Sequence, residues 1–334
     1  MKKFSLSIIL AGLMALTVAC GVGEEASGDN GSNNNNNNNN NSEENNNNND
    51  DNNDVVDEFP EGYLEIRGSD TMVNLGQAFA EEYMDYNLNG DLSVTGGGSG
   101  TGIAAMINNE VDIAQSSRAM ADQEIEDAQA NGAEPIEFVV GQDGLAVAIN
   151  NDNSIEELTI QQIKDIFTGV ITDWSEVGWD EGGEITVYSR QSNSGTYVYF
   201  NTFVMDGEDF ADGAMFMPGS SAIREAVEQE VNAIGYIGIG YIDGIDAVNV
   251  ALDENSEYVT SFEESNVDEG IYPIARPLYF YVNGTPEGIM LDYLKWVLQS
   301  ETADAVRYDT GFYQIGSDYQ AANKAAFEEL GLDW

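Results

Sequence analysis

Three stretches of the sequence combine glycine with serine or threonine directly before an apolar run: residues 68–71, 96–102 and 192–196. Glycine lets the backbone approach a ligand closely, and the first turn of a helix presents N–H groups that have no partner within the helix. The positive end of the helix dipole also attracts negative charge. These residue types predict that three helix starts converge on one tetrahedral oxyanion.

Two arginines adjoin these stretches, since Arg118 follows Ser116 by two residues and Arg190 precedes Ser194 by four. A planar guanidinium can hold two oxygens of a tetrahedral anion at once. Each loop taken alone also suits an ordinary helix N-cap, so the prediction depends on their occurring together. The other cations after residue 19 fall in helix or strand patterns and are expected to form surface ion pairs: Arg67, Lys164, Arg224, Arg276, Lys295, Arg307 and Lys324.

The charge of the chain is strongly negative, with 11 basic and 60 acidic residues and a formal net charge of −49. Such a balance leaves no basic surface, so nucleic acid is excluded as a partner. Self-repulsion of this size is tolerable where salt screens it, with a Debye length of roughly 3 Å at 1 M. The composition therefore predicts a protein of a high-salt environment whose acidic residues form a solvated surface.

Most enzyme classes lack the residues they need in this chain. The sequence contains no histidine, which excludes Ser-His-Asp and Cys-His catalysis and histidine-ligated metals. The stretch 96–102 has neither the lysine of a phosphate loop nor the spacing of a dinucleotide motif. Carboxylate catalysis stays open among so many acids, but no spacing selects a pair. We therefore expect no catalytic residue, no metal and no cofactor.

The amino-terminal part of the chain has the pattern of an exported protein. Two lysines and a 15-residue apolar stretch precede Cys20, which predicts a signal peptide over residues 1–19. Cys20 is the only cysteine, and its position predicts acylation as a lipoprotein, although an ordinary cleaved signal with an incidental cysteine is the alternative. Residues 20–58 are rich in asparagine and acids and predict a disordered tether.

Strands and helices alternate along the rest of the chain, which predicts an α/β fold with ligands at the carboxyl ends of strands. The remaining stretch of about 275 residues exceeds a usual single core, so we expect two lobes. Crossings between them are predicted at residues 143–149 and 276–282, which gives lobe 1 residues 59–143 plus 276–334 and lobe 2 residues 144–275. The predicted strands are 63–67, 91–95, 111–115, 136–140, 185–189 and 234–241, and the main predicted helices are 71–86, 121–130, 159–167, 221–230, 287–299 and 318–330.

The order of the motifs resembles that in the phosphate-binding lipoproteins of bacterial ABC uptake systems, the PstS-like branch of the periplasmic binding proteins. The matching text is GSDTM, GGGSGTGI, DIAQSSR, DGLAVAIN, LTIQQIKDIFTGVITDW, RQSNSGT and AIGYIGIGY. The resemblance implies a two-lobed periplasmic-binding-protein fold with a ligand cleft between the lobes and two hinge crossings. It also implies an extracytoplasmic protein, held in the bilayer by an acyl anchor, that captures inorganic phosphate for a membrane permease.

The resemblance also assigns candidate phosphate-binding residues. Ser69, Gly100 and Thr101 belong to the anion loops, and Arg118 is the added cation of the SSR-type sequences. The positions that match ligand contacts of the family are Thr71, Met72 (through its backbone N–H), Ser99, Ser117, Arg190, Ser194, Gly195 and Thr196.

One candidate position departs from the family pattern. Ser117 stands where well-known members have an aspartate that accepts the proton of hydrogen phosphate and repels sulfate. Asp70 is the predicted substitute, with a plain N-cap as its alternative role, and Asp143 is a second candidate. Phosphate capture is the leading hypothesis. A binder of another oxyanion or an organic phosphate, an anchored phosphatase and a phosphate sensor stay open.

Overall fold

The computed structural model describes residues 59–334. The predicted signal peptide 1–19, the acylated Cys20 and the tether 20–58 lie outside the described residues. Within the described part of the chain, no helix is long and apolar enough to cross a membrane.

Strands and helices alternate along most of the described chain, as the sequence predicts for an α/β fold. The strands are β1 (Gly62–Gly68), β2 (Gly90–Thr95), β3 (Ile113–Ser116), β4 (Pro135–Gly144), β5 (Ala146–Ile149), β6 (Glu157–Thr159), β7 (Thr186–Arg190), β8 (Met215–Met217), β9 (Ala233–Ile237), β10 (Asp246–Ala247), β11 (Asn249–Ala251) and β12 (Ala275–Asn283). The helices are α1 (Val73–Tyr86), α2 (Ser99–Ile107), α3 (Asp122–Ala130), α4 (Ile160–Thr168), α5 (Gly195–Phe203), α6 (Ser220–Gln229), α7 (Glu264–Asp268), α8 (Gly288–Gln299), α9 (Glu301–Asp309) and α10 (Ser317–Glu329).

The strands form two main sheets, each with a parallel part and an antiparallel part. The first sheet has the order β2-β1-β3-β12-β4, in which β12 runs antiparallel to both of its neighbours. The second has the order β10-β5-β9-β7-β8, in which β9, β7 and β8 are parallel. A small parallel pair joins β11 to β6. We call the first sheet and its helices lobe 1, and the second sheet and its helices lobe 2.

Two neighbouring strands carry the chain between the lobes. The first sheet ends with β4 at Gly144 and the second begins with β5 at Ala146, so the first passage falls inside the predicted crossing. The return runs through β12, where Arg276 is the register partner of Asp143 on β4. The two-lobed α/β fold with two crossings is confirmed, and the residue limits assigned to each lobe stay a prediction.

Local sequence signals explain several of these elements. Thr159 caps α4 by accepting a hydrogen bond from the Gln162 N–H at 3.2 Å, and the Gln162 side-chain oxygen accepts from the Thr159 N–H, which forms a capping box. Helix α1 packs through one apolar face, on which Leu75, Phe79 and Tyr83 are fully buried in the core.

The structure corrects the sequence-based assignments at several places, including the three that follow. The strand predicted over residues 234–241 ends at Ile237, because the Ile239 N–H bonds to the Asp143 carboxylate and a 3-10 turn follows. The helix predicted over 71–86 begins with a separate 3-10 turn, Asp70–Met72. Helix α9 is absent from the prediction, although the Ser300 hydroxyl caps it by accepting from the Ala303 N–H at 3.0 Å.

The expectation of surface ion pairs holds for some cations and fails for others. Lys164 and Arg224 pair with nearby carboxylates at the surface of lobe 2. Arg307 pairs with Asp304 but is itself fully buried, so the predicted surface location is wrong for it. Its guanidinium donates to the carbonyls of Val140, at 2.7 Å, and Val297, so the hydrogen bonds lost from water are replaced.

Candidate functional site

Each of the three predicted loops follows a strand and begins a helix. β1 leads through the turn Asp70–Met72 into α1, β2 leads into α2, and β7 leads into α5. The first two strands belong to lobe 1 and β7 belongs to lobe 2. Because the carboxyl ends of these strands face one another across the lobes, hydroxyl groups from all three loops meet, as the sequence predicts.

A group of buried hydroxyls, which we call the hydroxyl cluster, lies where the lobes meet. Its members are at most 1% exposed and comprise Ser69, Thr71, Ser99, Ser117 and Thr196. The Ser69 hydroxyl donates to Ser117 Oγ at 3.0 Å, and Ser99 Oγ lies 3.3 Å from the same atom. Across the lobes, the Oγ1 atoms of Thr71 and Thr196 are 2.8 Å apart. These hydroxyls can each donate to an anion oxygen.

Gly195 allows the first turn of α5 to approach this cluster. A Cβ atom at Gly195 would lie 2.3 Å from Ser99 Oγ and 2.9 Å from Ser117 Oγ, which no side chain can do. The N–H groups at the start of α5 therefore lie beside the hydroxyls. The structure thus places Gly195 and Thr196 in the predicted site, and the reason is the close approach of backbone to the cluster.

The glycine loop contacts lobe 2 through Asn193. The Gly100 N–H donates to the Asn193 carbonyl at 3.1 Å, and the Asn193 side-chain amide donates to the Gly97 carbonyl at 2.8 Å. Gly98 adopts φ 92°, and a Cβ there would lie 2.6 Å from the Asn193 carbonyl oxygen. The assignment of Gly100 as a phosphate-binding residue is therefore corrected. Its N–H donates to the Asn193 carbonyl in this structure, so Gly100 joins the two lobes and does not face the hydroxyl cluster.

Arg190 ends β7 and is fully buried beside the three loops. Its guanidinium donates to Asp70 Oδ2 at 3.1 Å and to Ser220 Oγ at 3.2 Å. The buried Nε atom of Arg190 has no hydrogen-bond partner. Burial lowers the pKa of Arg190, and the charge of Asp70 acts in the opposite direction. An unsatisfied buried donor costs roughly 1–3 kcal/mol, so this atom favours an incoming acceptor.

Asp70 holds the glycine loop and Arg190 together. Its Oδ1 accepts from the Gly97 N–H at 2.8 Å and its Oδ2 accepts from Arg190. The N-cap of the following turn is Ser69, and the N-cap of α1 is Met72. The alternative that Asp70 is a plain N-cap is therefore wrong. Its role as acceptor of a phosphate proton stays a prediction.

Met72 and Ser194 make local hydrogen bonds in this structure, and their assignment as ligand contacts stays a prediction. The Met72 N–H donates to the Ser69 carbonyl at 3.1 Å within the turn. The Ser194 hydroxyl accepts from the Tyr197 N–H at 3.4 Å and caps α5. A hydroxyl that accepts one bond keeps its own hydrogen for a second, so Ser194 can cap the helix and donate to a ligand.

Two candidates lie outside the cluster. The Arg118 guanidinium makes two 2.7 Å bonds to the Glu124 carboxylate at the start of α3, so its charge is already compensated. Burial raises the pKa of Glu124, but the bonds from Arg118 and the Ala121 N–H outweigh it and lower that pKa. The exposed Thr101 donates its hydroxyl to the Gly97 carbonyl at 2.6 Å. Neither side chain bonds to the hydroxyl cluster in this structure, whereas the buried Nε of Arg118 has no partner, so both ligand assignments stay predictions.

Arg276 is the functional residue that the sequence analysis misses. Predicted as a surface cation, it is 3% exposed, and its Nε and Nη2 donate to Asp143 Oδ2 at 3.0 and 2.7 Å. The same Nη2 donates to Thr196 Oγ1 in the hydroxyl cluster at 3.0 Å. Asp143 is fully buried and accepts from Ile239 as well. The signal available in the sequence is that Asp143 and Arg276 both fall in predicted crossings.

The chemistry of the site is that of hydrogen-bond donation. Arg190 and Arg276 each face one carboxylate, so hydroxyls, helix N–H groups and guanidinium donors are the groups offered to a ligand. Within residues 59–334, no group of three or more histidine, cysteine, aspartate or glutamate side chains could hold a metal ion. A small tetrahedral anion is the ligand that matches these donors.

Comparisons with known proteins identify the family. A family model described as a PBP superfamily domain matches residues 43–301. The phosphate-binding protein PstS of Pseudomonas aeruginosa is 33% identical over 289 residues, which cover 81% of this chain and 88% of that protein. The phosphate-binding protein PstS of Bacillus subtilis is 27% identical over 314 residues, which cover 94% of each chain.

A solved structure has the same fold. The crystal structure of a putative phosphate ABC transporter substrate-binding protein with bound phosphate, from Clostridium perfringens, superposes with a TM-score of 0.68 at 27% identity. The match covers 76% of this chain and 100% of that one. The family model covers more than half of this chain, and the Pseudomonas protein is 33% identical over 81% of it, so the two matches establish the family. This chain belongs to the PstS family of the PBP superfamily.

Proposed function

We propose that this protein captures inorganic phosphate between its two lobes and delivers it to the permease of an ABC transporter. The observation that carries the proposal is the hydroxyl cluster beside the fully buried Arg190, whose Nε has no partner. Burying a dianion requires many donors to replace its water, and hydroxyls from both lobes together with helix N–H groups supply them. The phosphate-binding names of the relatives support phosphate as the anion.

Phosphate would replace contacts that now join the lobes. The Thr71 and Thr196 hydroxyls touch at 2.8 Å, so an anion enters only when the lobes move apart. Hydrogen bonds from hydroxyls to a charged oxygen are roughly twice as strong as those between neutral groups. Exchanging hydroxyl–hydroxyl bonds for hydroxyl–phosphate bonds therefore favours the loaded state, and binding and lobe closure are coupled.

We further propose that the protein works outside the cytoplasm, attached to the membrane. Residues 1–19 direct export, and the thiol of Cys20 carries the acyl anchor. Residues 20–58 then join the anchor to the folded lobes. The apolar stretch before Cys20 and the asparagine- and acid-rich composition after it support this assignment.

Sulfate is the second candidate ligand, and one observation favours it. Ser117 lies at the centre of the hydroxyl cluster, and both nearby carboxylates, Asp70 and Asp143, are already paired with arginines. A cluster made of hydroxyls can donate to an anion with or without a proton. Discrimination then depends on whether Asp70 or Asp143 also accepts the phosphate proton.

Titration calorimetry of the purified protein with phosphate, sulfate and a phosphomonoester tests the proposal. We expect heat of binding with phosphate and no release of inorganic phosphate from the ester. Binding of sulfate alone would replace phosphate with the second candidate. Turnover of the ester would establish an anchored phosphatase instead.

A further inference from the structure

The Arg276 guanidinium bonds to three separate parts of the molecule. It donates to Asp143 of β4, to the Ser117 carbonyl at the end of β3 at 3.0 Å, and to Thr196 Oγ1 at 3.0 Å. Asp143 and Ser117 belong to lobe 1, whereas Thr196 lies in the first turn of α5 in lobe 2. One planar group therefore fixes both crossing strands against the hydroxyl cluster.

The aromatic ring of Tyr199 holds the same guanidinium from the side of α5. The Arg276 Cζ lies 5.3 Å from the ring centroid, within reach of a cation–π interaction. The Tyr199 hydroxyl donates to the Ala275 carbonyl at 2.6 Å, on the strand that carries Arg276. Because Tyr199 stands three residues after Thr196 on one helix, these contacts fix the first turn of α5 relative to β12.

The direction of the hydrogen bond to Thr196 follows from the chemistry of arginine. A guanidinium has only donors, so Thr196 Oγ1 must accept from Arg276. The hydroxyl hydrogen of Thr196 then points away from Arg276, toward Thr71 Oγ1 at 2.8 Å or Ser117 Oγ at 3.5 Å. Those neighbours line the place where the proposed anion binds.

We infer that Arg276 is a positioning residue for anion binding: it orients the Thr196 hydroxyl so that its hydrogen is donated to the anion. The inference rests on the proposed function. Asp143 neutralises Arg276, so the contribution of Arg276 is the direction of this hydrogen bond and the placement of α5, with little attraction from its charge. Arg190, with its unsatisfied Nε, is the cation that contacts the ligand.

A double-mutant cycle between Arg276 and Thr196 tests the inference. Arg276→Lys keeps the charge but loses the planar guanidinium that bonds to three partners. Thr196→Val replaces the hydroxyl with a methyl group of similar size. We expect Arg276→Lys to weaken phosphate binding about 10-fold in the wild-type background, the value of one oriented hydrogen bond. In the Thr196→Val background, Arg276→Lys should weaken phosphate binding less than about 3-fold, because no Thr196 hydroxyl is left to orient.

Equal losses in the two backgrounds would overturn the inference. Thr196→Ser provides a second test that does not depend on the folding of the Arg276 variant. Serine keeps a hydroxyl that Arg276 can orient, so its affinity should stay close to that of the wild type, and a loss as large as that of Thr196→Val would also overturn the inference. Arg307→Lys is the matched control, since this buried arginine lies outside the site and should change the melting temperature without changing affinity.

The wild-type titration separates this inference from the proposed function. If the wild-type protein binds phosphate and the cycle is additive, the role of Arg276 is wrong and the function stands. If it binds sulfate in place of phosphate, the proposed function is wrong, and the same cycle run with sulfate decides the role of Arg276. If it binds neither anion, both are wrong.

Discussion

Substitution of Arg190 by alanine should remove most of the phosphate affinity. The side chain is fully buried at the end of β7, and its guanidinium reaches Asp70 of the other lobe at 3.1 Å. The substitution removes a buried guanidinium beside Asp70 whose Nε has no hydrogen-bond partner. It also leaves the Asp70 carboxylate without its charged partner, next to the place where a dianion would bind.

The size of the effect follows from two contributions. Loss of a charge-assisted hydrogen bond to the anion costs about 1.5–3 kcal/mol. An unpaired carboxylate adds to that, although Asp70 is 24% exposed, so water offsets part of the roughly 3–5 kcal/mol expected for a fully buried pair. A total of about 3–4 kcal/mol raises the dissociation constant roughly 100- to 1,000-fold.

Titration calorimetry with phosphate measures this change, and thermal unfolding shows whether the variant is folded. Arg224→Ala is the control, because Arg224 lies on α6 in the same lobe and pairs with Glu228 at the surface. Its affinity should equal that of the wild type. A folded Arg190→Ala protein with less than about a 5-fold loss would refute the assignment of Arg190 as a ligand-binding cation.

Three further predictions concern selectivity, release and stability. Asp70→Asn keeps an acceptor for the Gly97 N–H but removes the charge that repels sulfate, so the sulfate-to-phosphate affinity ratio should rise in competition titrations; an unchanged ratio would exclude Asp70 as the discriminating group. Asn193→Ala removes the side-chain bond to Gly97, so phosphate should dissociate up to about 10-fold faster in stopped-flow experiments, whereas the neighbouring Ser192→Ala should leave the rate unchanged. With a formal net charge of −49, the melting temperature should rise between dilute buffer and molar salt, and a salt-independent value would contradict the high-salt prediction.

The parts of the site that the sequence predicts are those encoded locally. Small and hydroxyl side chains lie between a strand and a helix in residues 68–71, 96–102 and 192–196. Local patterns of this kind can be recognised without knowing the tertiary structure. Their convergence follows from the rule that ligands bind at the carboxyl ends of strands in an α/β sheet. The family resemblance then selects individual hydroxyls such as Ser99 and Thr196.

The sequence-based site assignments are weakest where a side chain has more than one possible hydrogen-bond partner. Arg118 stands next to an anion loop in sequence, but Glu124 at the start of α3 offers two carboxylate oxygens six residues away. That local pair neutralises the guanidinium before any ligand arrives, although its buried Nε keeps no hydrogen-bond partner. Thr101 similarly has the Gly97 carbonyl four residues earlier in the chain, just before α2. The distance of a residue from a motif in the sequence therefore predicts where its backbone lies. The nearest hydrogen-bond acceptor then determines the direction of its side chain.

Arg276 shows the opposite case, a side chain whose partners are all distant in sequence. Asp143 is 133 residues away and Thr196 is 80 residues away, and they meet only because β12 returns beside β4 with Asp143 opposite Arg276. In a chain with 60 acidic residues, a lone arginine has many possible partners, so composition favours a surface pair. The register of β12 against β4, which local sequence patterns do not reveal, makes this cation part of the site.

The pairing of both site arginines with aspartates also explains how an acidic protein can hold an anion. Repulsion from the surface carboxylates acts over long distances and is screened within roughly 8–10 Å at moderate salt. The contacts in the hydroxyl cluster act at 2.8 to 3.5 Å between buried groups, where salt screens much less than at the surface. Because Asp70 and Asp143 cancel the charges of Arg190 and Arg276, these oriented donors, and not an excess of positive charge, must provide the affinity.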